Sequence, residues 1–343
     1  MSYRVAVVGA TGAVGTVMLA KLRERGFPAS EIVPFASARS AGKELEGFGL
    51  VQPLSDATIQ GFDLAIFSAG AMISGEWAPR FVDAGCVVVD NSSRWRRDDD
   101  IPLVVSDVNP HALERHRGLI ANPNCSTMQL MVALKPILDT AGIERLIVST
   151  YQSVSGTGVR AVEELKEQTH AELHGMPLPE PQVYPHPIAF NVLGGAGNFK
   201  DGDDYTDEER KMMFETRKIL EAPDIGISVT CARVPVISAH SESVNVQTRD
   251  AIEPEEVREL LSAAPGIELV DDPAGNGYPT ALGSAGHDEV FVGRIRRDPS
   301  HPRAINLWVV SDNLLKGAAT NAIQIAEALH ERGLVRVPAR QPA

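Results

Sequence analysis

The chain has 343 residues, of which 43% are hydrophobic and 22% are charged, and its formal net charge at pH 7 is −13. This length is enough for about two domains with a sizeable buried core. The acidic balance excludes a general surface for nucleic acids or other polyanions, so a few well-placed cations must hold any phosphate-bearing ligand.

Three cysteines are scattered along the chain, at Cys86, Cys125 and Cys231. They are too few for a disulfide framework, which suggests the reducing environment of the cytoplasm. Cys86 and Cys231 lie in apolar, strand-like runs, and we expect both to be core residues. Glycines interrupt the uncharged stretch 5–20, so we expect a strand, a turn and a helix there and not a signal peptide. No stretch approaches the ~20 apolar residues that cross a bilayer.

The first predicted elements are a buried strand over 4–8 and a helix, joined by a glycine-rich turn. That turn reads Gly9-Ala10-Thr11-Gly12-Ala13-Val14-Gly15. Glycines there let backbone N–H groups approach a pyrophosphate at the start of the helix, although a tight turn without a ligand has the same pattern. Further strand-like runs alternate with helix-compatible segments, which predicts a mostly parallel, doubly wound sheet. These runs are 32–35, 64–67, 87–89 and 103–105.

The second of these strands ends in Ser37-Ala38-Arg39-Ser40. Enzymes that use NAD usually place an acidic residue near this point to bind the ribose 2′-OH, and this chain has none. A guanidinium and two hydroxyls suit a 2′-phosphate, so the segment favours NADP. The alternative is a solvated arginine in a surface turn. Ser68 follows the strand from Leu64 and is expected at the carboxyl edge of the sheet, where the ligand crevice lies.

Asn122-Pro123-Asn124-Cys125-Ser126-Thr127 joins a strand-like run to an apolar-periodic helix. Unpaired backbone N–H groups and the positive end of the helix dipole meet at such a junction. Both favour a thiolate, which is the nucleophilic form of cysteine, and the same N–H groups could hold an oxyanion. The alternative is a buried structural thiol.

The second half of the chain begins with a predicted strand from Arg145 that leads into a Gly/Ser-rich turn and brings Gln152 to one edge. A later strand, 229–236, carries Arg233, and a further strand follows from the region of His240. A bend at Pro235 could direct Arg233 and His240 into one pocket. Histidine is the usual partner of a cysteine nucleophile. His240 could also be a structural imidazole, and no second ligand cluster supports a metal.

Thr206 opens a predicted helix with a capping pattern, and Glu208 and Lys211 share one of its faces. By default this pair is a solvated surface pair, and Arg96 is one of several exposed cations. The Pro/Gly-rich segment 175–187 is predicted to be a long loop or arm that could contact a partner.

Six motifs, in this order, resemble those of the aspartate-semialdehyde dehydrogenase family. They are Gly9–Gly15, Asn91-Ser92-Ser93, Asn122–Thr127, Gln152–Gly156, Arg233-Val234-Pro235 and His240-Ser241-Glu242-Ser243. The resemblance implies an α/β fold: a Rossmann-like, doubly wound NADP-binding domain over 1–124 with 313–343, and an α+β catalytic and dimerisation domain over 125–312. It also implies a homodimer and the NADP-dependent, reversible conversion of aspartyl 4-phosphate to aspartate 4-semialdehyde and phosphate. That reaction leads to lysine, threonine, methionine and diaminopimelate.

The resemblance also implies a role for individual residues. Cys125 would be the nucleophile, His240 the acid/base, and Gln152 the residue that orients the acyl intermediate. The substrate would be held by Arg233 at its carboxylate, by Glu208 at its amine, by Arg96 and Lys211 at its phosphate, and by Asn124. The NADP-binding site would be lined by Gly9, Thr11, Gly12, Ala13, Val14, Ser37, Arg39, Ser40, Ser68, Ser155, Gly156 and Asn313. The last helix, 313–330, would return to the dinucleotide domain.

The chain departs from the family pattern in three places. Arg94-Trp95 stands where a small residue and an aromatic are expected, which leaves open which of Arg94, Arg96 and Arg97 contacts phosphate. Ala239 precedes His240 where glycine is usual, and 192–197 is less bulky than expected. None of these changes removes a catalytic group.

Three rival functions remain at this point. N-acetylglutamyl-phosphate reductase shares the fold and chemistry, but its motif resembles Asn-Pro-Gly-Cys-Tyr, and Glu208 suits a free amine. A cysteine hydrolase that uses Cys125 and His240 would leave the glycine turn unexplained. A cofactor-binding protein without catalysis would not need Gln152 and Arg233 beside them.

Overall fold

The protein is described by a computed structural model, over residues 2–336. The chain divides into a first unit, Met1–Asn124 with Ala318–Ala343, and a second unit, Cys125–Gly317. The predicted domain boundary places the return of the chain to the first unit at Asn313, whereas the structure places it at Ala318. Residues 1 and 337–343, which the prediction assigns to the dinucleotide-binding domain, lie outside the described residues.

The first unit is built on a six-stranded parallel sheet, whose order is β5-β2-β1-β6-β7-β8. The central strands β6 and β7 are buried along their whole length, and β1 is buried except at Arg4, as expected of a parallel sheet with both faces covered. This architecture confirms the predicted doubly wound fold. The elements are β1 Tyr3–Val8, α1 Ala13–Glu24, β2 Ala29–Ala36, β3 Glu44–Leu45, β4 Gly49–Leu50, β5 Gln52–Pro53, β6 Leu64–Phe67, α2 Ala71–Asp83, β7 Val87–Asp90, a 3₁₀ turn Pro110–Arg115 and β8 Leu119–Ala121.

One predicted strand of this sheet is wrong. Leu103 makes a single isolated bridge to Ala121, and the segment 103–105 is not a strand. The side-chain oxygen of Asn109 accepts a hydrogen bond from the backbone N–H of Val105. The N–H groups of Val108 and Asn109 donate to the backbone oxygen of Val105. The chain therefore leaves the sheet in a turn, although its apolar residues stay buried.

The second unit contains a mixed six-stranded sheet of order β10-β9-β11-β14-β13-β12. β9 runs parallel to β10 and antiparallel to β11. Helices α3, α5 and α6 pack on one face of the sheet. The elements are α3 Cys125–Ala141, β9 Ile143–Gln152, a 3₁₀ turn Val154–Thr157, α4 Val159–Leu173, α5 Asp207–Ile219, β10 Gly226–Arg233, β11 His240–Thr248, α6 Pro254–Ala263, β12 Ile267–Leu269, α7 Ala281–Ser284, β13 Val290–Arg297 and β14 Ala304–Ser311.

The predicted last helix is a π-helical turn, Leu315–Thr320, followed by α8, Asn321–Glu331. Its small residues lie in the core of the first unit with Val5 and Val7 of β1, which confirms the expected close packing on the sheet. The members in that core are Ala319, Ala322, Ile325 and Ala326.

Three local predictions are also confirmed. Thr206 and Glu209 form a reciprocal capping box at the start of α5, in which each side chain binds the other's backbone N–H. Cys86 and Cys231 are fully buried. The segment 175–187 contains no helix or strand. Within residues 2–336, none of the helices combines the length and the apolar character that crossing a bilayer requires.

Candidate active site

Cys125 and His240 meet in the second unit. Cys125 is the first residue of α3 and His240 is the first residue of β11. The sulfur Sγ of Cys125 lies 3.3 Å from Nε2 of His240, and the cysteine is half-buried while the histidine is fully buried. A partly accessible thiol at a helix N-terminus, in contact with an imidazole, is the geometry of an activated nucleophile.

Ser153 determines which nitrogen of His240 carries the proton. The backbone N–H of Ser153 donates to Nδ1 of His240 over 3.0 Å. Because Nδ1 accepts this bond, the neutral imidazole carries its proton on Nε2. The proton of His240 therefore points at Cys125 Sγ.

The pKa of His240 is lowered to about 3, because burial disfavours the imidazolium and because the positive charge of Arg233 is close. A hydrogen bond to the backbone of Ala239 opposes this shift but does not reverse it. His240 is therefore neutral near pH 7 in the free protein.

Asn313 fixes the turn that precedes His240. Its Oδ1 accepts the backbone N–H of Ala239 at 3.0 Å and the hydroxyls of Ser153 and Ser155 at 3.0 and 3.2 Å. Its Nδ2 donates to Ser155 Oγ at 3.0 Å. A single buried amide thus ties the segment before β11 to the turn after β9.

The ends of β9 and β10 hold the polar side chains predicted for the substrate. Gln152 and Arg233 are paired in the sheet register. Nη1 of Arg233 donates to the backbone oxygen of Ser153 at 2.8 Å, and Nε2 of Gln152 donates to Glu208 Oε1 at 3.4 Å. The sequence brings these side chains to one sheet edge because β9 and β10 are parallel, so their carboxyl ends coincide.

Glu208 and Lys211 are not the solvated pair that the local sequence suggests. Glu208 is only 8% exposed, and Nζ of Lys211 lies 3.3 Å from Glu208 Oε2 and 3.3 Å from Asp207 Oδ2. Burial lowers the pKa of Lys211, but these two carboxylates outweigh burial and raise it. The first turn of α5 thus presents opposite charges beside Gln152.

Gly156 lies against His240 and Arg233. A β-carbon on this glycine would lie 3.2 Å from Nε2 of His240 and 3.5 Å from Nη1 of Arg233. The absence of a side chain therefore leaves space in front of the imidazole.

In the first unit, the glycine turn is packed so tightly that it excludes side chains. A β-carbon on Gly9 would overlap the backbone oxygen of Ser68, and one on Gly15 would overlap the backbone oxygen of Gly9. Gly9 has φ +90°, and Gly12 caps α1 without a side-chain hydrogen bond. The first N–H groups of α1, beginning at Ala13 and Val14, are thus open to an anion, which fits a dinucleotide pyrophosphate.

Ser37, Arg39 and Ser40 form a turn at the carboxyl end of β2. Ser40 N–H donates to Ser37 O at 2.8 Å, and both Ser37 and Arg39 are exposed. A hydroxyl-flanked, accessible guanidinium without a neighbouring carboxylate in the sequence fits a 2′-phosphate.

Arg96 differs from its neighbours Arg94 and Arg97. It is 8% exposed and donates from Nη2 to Asn91 O at 3.0 Å, whereas Arg94 and Arg97 are exposed. The expectation that Arg96 is an exposed cation is therefore wrong. Asn124, directly before α3 in the sequence, is also 8% exposed.

Asp90 organises the loop that carries Arg96. Its carboxylate accepts the backbone N–H of Ser92 at 2.6 Å and the hydroxyls of Ser92 and Ser74. Burial raises the pKa of Asp90, while these hydrogen bonds and the charge of Arg96 oppose the rise. The loop is thus held from inside by a carboxylate.

Comparison with known proteins places these features in a family. The model described as "Semialdehyde dehydrogenase, NAD binding domain" matches residues 4–116, and "Semialdehyde dehydrogenase, dimerisation domain" matches residues 134–316. A two-unit fold with a dinucleotide turn and a cysteine–histidine pair thus defines a semialdehyde dehydrogenase, and the protein is an oxidoreductase.

The aspartate-semialdehyde dehydrogenase of Aquifex aeolicus is 52% identical over 341 residues, which cover 98% of this chain and all of that protein. A crystal structure of aspartate semialdehyde dehydrogenase II from Vibrio cholerae, complexed with ASA, matches with a TM-score of 0.92 at 47% identity, covering 96% of this chain and 99% of that one. The Candida albicans enzyme with NADP matches with a TM-score of 0.75 at 27% identity, covering 97% of this chain and all of that one. The chain belongs to the aspartate-semialdehyde dehydrogenase family, as its motifs predict, and functions in amino-acid biosynthesis.

Sequence reasoning did not single out Ser153 and Glu242. Ser153 stands in a quoted motif, but a backbone N–H that orients a histidine leaves no mark on side-chain chemistry. Glu242 follows His240 by two residues, so the period of a strand could have placed both side chains on one face.

Proposed function

We propose that the protein catalyses the reversible, NADP-dependent reductive dephosphorylation of L-aspartyl 4-phosphate to L-aspartate 4-semialdehyde. The observation that carries the proposal is the contact of 3.3 Å between Cys125 Sγ and His240 Nε2 at the head of α3, in a chain of this family. The surrounding groups match an acidic amino-acid substrate, as described below.

In the proposed first step, the Cys125 thiolate attacks C4 of the acyl phosphate. An S–C bond forms and the C–O bond to phosphate breaks. Inorganic phosphate departs, and a thioester remains on Cys125. The positive end of the α3 dipole lies at Cys125 and would stabilise the oxygen that becomes negative in this attack.

NADPH, when bound, supplies the hydride that reduces the thioester. His240, with its proton on Nε2, donates a hydrogen bond to the oxygen that becomes negative when the thioester carbon accepts the hydride. The C–S bond then breaks, the aldehyde forms and the thiolate is restored, while the imidazole keeps its proton. A neutral, oriented imidazole suits this hydrogen bond, and the lowered pKa and the Ser153 bond favour that state.

The substrate roles are proposed from charge and position. Arg233 would bind the α-carboxylate, Glu208 the ammonium group, and Gln152 would orient the acyl group. Lys211 is held beside Glu208 by carboxylates and would contribute to phosphate binding together with Arg96 and Asn124. The selection of Arg96 over Arg94 and Arg97 rests on its burial and its bond to Asn91 O.

The first unit contains an NAD(P)-binding domain, and we propose that its cofactor is NADP. The turn of Ser37, Arg39 and Ser40 would bind the 2′-phosphate. The glycine-rich turn Gly9–Val14, together with Ser68, would bind the pyrophosphate. Ser155, Gly156 and Asn313 are kept as NADP-lining residues on the family resemblance. In this proposal the first unit binds the cofactor, and the second catalyses and dimerises.

A homodimer through the second unit is part of the proposal. Its sheet has helices on one face, while Ile147 and Tyr151 of β9 are 38% and 37% exposed on the other. The Tyr151 ring packs on Trp308 of β14 with centroids 5.5 Å apart, and this partly exposed aromatic pair suits contact with a second copy. We place the protein in the cytoplasm, because three scattered cysteines do not make a disulfide framework. Light scattering after size-exclusion chromatography tests the dimer, and a monomer at micromolar concentration contradicts it.

The decisive experiment measures the reduction of NADP by aspartate semialdehyde, with and without phosphate, in the wild type and in Cys125→Ala. The proposal requires a rate that depends on phosphate and disappears in the variant. A rate with N-acetylglutamate semialdehyde in place of this substrate would overturn the substrate assignment and keep the mechanism. A rate without any nicotinamide nucleotide would indicate a hydrolase.

A further inference from the structure

Glu242 is a carboxylic acid in the core of the second unit, and the mechanism above gives it no task. It is fully buried, and within residues 2–336 no hydrogen bond of normal geometry reaches its carboxyl oxygens, although the side-chain amide of Gln129 is close enough to interact with them. Burial raises the pKa of Glu242 well above its ordinary value, and the nearby amide of Gln129 opposes this without reversing it. A charge left unpaired at this depth would be very unfavourable, so the group is kept neutral by protonation.

The position of Glu242 relates it directly to the reacting pair. On β11 it follows His240 by two residues, and therefore projects from the same face of the strand. On α3, Gln129 follows Cys125 by four residues, and therefore lies on the same face of the helix.

The two spacings match. Four residues of helix rise about 6 Å, and two residues of strand rise about 6.6 Å. The same helix face thus makes two consecutive contacts with the same strand face. Cys125 contacts His240 in the first, and Gln129 faces Glu242 in the second.

Other titratable groups surround this position from several elements. Burial raises the pKa of the Cys231 thiol on β10. Three nearby carboxyl groups raise it further, namely Glu208 and Glu209 of α5 and Glu242. Glu208 is paired with Lys211, and Glu209 accepts backbone N–H groups from Thr206 and Cys231. Across the ladder from Glu242 lie Thr150 of β9 and Val309 of β14, which carry no charge.

We propose that Glu242 is a positioning residue for Cys125 and His240: a neutral carboxylic acid, packed against Gln129, that sets the spacing of α3 and β11 and keeps negative charge away from His240. An ionised Glu242 two residues from His240 would favour the imidazolium over the neutral imidazole that the proposed mechanism uses. The inference rests on the proposed catalytic roles of Cys125 and His240.

The test compares the wild type with Glu242→Gln, which has the same shape and no ionisation, and Glu242→Leu, which removes the polar group. Glu242→Gln should keep kcat/KM near that of the wild type at pH 7. Glu242→Leu should lower kcat on the order of 10- to 100-fold with a smaller change in KM, because sub-ångström to 1 Å shifts of reacting groups have effects of that size. Loss of activity in Glu242→Gln comparable to that in Glu242→Leu would overturn the proposal.

Two measurements do not depend on turnover. Since the folded protein keeps a proton on Glu242 that the unfolded chain loses above its ordinary pKa of 4.5, the wild type should lose stability relative to Glu242→Gln as pH rises from 5 to 8. The unfolding equilibrium constant should change about tenfold per pH unit. A pH-independent difference would show that Glu242 is ionised in the folded protein.

Alkylation of Cys125 by iodoacetamide, followed from pH 6 to 8, should have the same pH midpoint in the wild type and in Glu242→Gln. Cys86 and Cys231 are buried and serve as internal controls in the mass spectrum. A shifted midpoint would mean that a carboxylate charge acts on the pair, and would contradict the neutral form. If the wild type shows no phosphate-dependent turnover, the proposed function fails, while these two measurements still decide the state of Glu242.

Discussion

Gly317 lies against Cys125 so closely that a β-carbon on the glycine would come within 2.8 Å of Cys125 Cβ and 3.2 Å of its Cα. Gly317 belongs to the π-helical turn Leu315–Thr320, and such turns often occur at functional sites. The backbone of this turn therefore forms one wall of the nucleophile's position, and glycine is required there by space.

We expect Gly317→Ala to displace Cys125 from His240. The added methyl has no room, so either the turn or the start of α3 must shift, and kcat should fall on the order of 10- to 100-fold while KM changes less. Steady-state kinetics would measure this split. Gly194→Ala is the matched control, because a β-carbon there meets open space. Full kcat in Gly317→Ala would show that the close approach is not needed.

Ala239 has φ +70°, in the left-handed region that favours glycine, and it immediately precedes His240. This is the position where the family pattern has glycine. We expect Ala239→Gly to raise the free energy of unfolding by about 0.5–1 kcal/mol, because relief of strain of about 1–2 kcal/mol exceeds the added chain entropy. Urea unfolding would measure it. Ala232→Gly in β10 should instead destabilise, and a destabilised Ala239→Gly would contradict the strain.

The pKa of His240, about 3 in the folded protein and ordinarily 6.5, makes stability depend on pH. The unfolded chain binds a proton below pH 6.5 that the folded protein does not bind until about pH 3. Stability should therefore be lost as pH falls through this window, by up to about 1.4 kcal/mol per unit.

The comparison of the wild type with His240→Asn isolates this effect, because the opposite contribution of Glu242 is present in both. Their difference in free energy of unfolding should shrink as pH falls from 6.5 to 4. A constant difference over that range would mean that His240 is already protonated in the folded protein.

Replacing Asn313 with alanine should lower stability and kcat more than replacing Ser153, although both residues lie beside His240. Asn313→Ala leaves the buried N–H of Ala239 without its acceptor, which costs about 1–3 kcal/mol of stability and loosens the start of β11. Ser153→Ala keeps the backbone N–H that holds His240 Nδ1, so the tautomer persists and the loss should be smaller. Thermal unfolding and kcat of both variants test the order, and the reverse order would contradict it.

Arg39 should discriminate NADP from NAD. Arg39→Ala removes a charged contact to the 2′-phosphate, worth about 1.5–3 kcal/mol, so KM for NADP should rise on the order of 10- to 100-fold. KM for NAD should stay unchanged, because NAD lacks that phosphate. The exposed Arg97 provides the control, as Arg97→Ala should leave both values alone. An equal loss with both nucleotides would assign Arg39 a structural role.

The local sequence determined the elements that rest on short-range chemistry. The glycines of 9–15 predicted the strand, turn and helix that the structure shows, because positive φ and close backbone approach require glycine. Thr206 and Glu209 predicted the start of α5, since a capping box involves neighbours in the chain. The motif around Cys125 predicted a helix that begins at the cysteine.

Tertiary structure decided what depends on partners distant in the chain. Cys125 and His240 are 115 positions apart, and the packing of α3 against β11 brings them together. The segment 103–105 has the composition of a strand, but Asn109 diverts its backbone hydrogen bonds. Glu208 has the local pattern of a surface residue, and burial beside Gln152 gives it another environment. Local propensity is fixed by adjacent residues, whereas burial, pKa and alignment of reacting atoms are set by the elements that pack around each group.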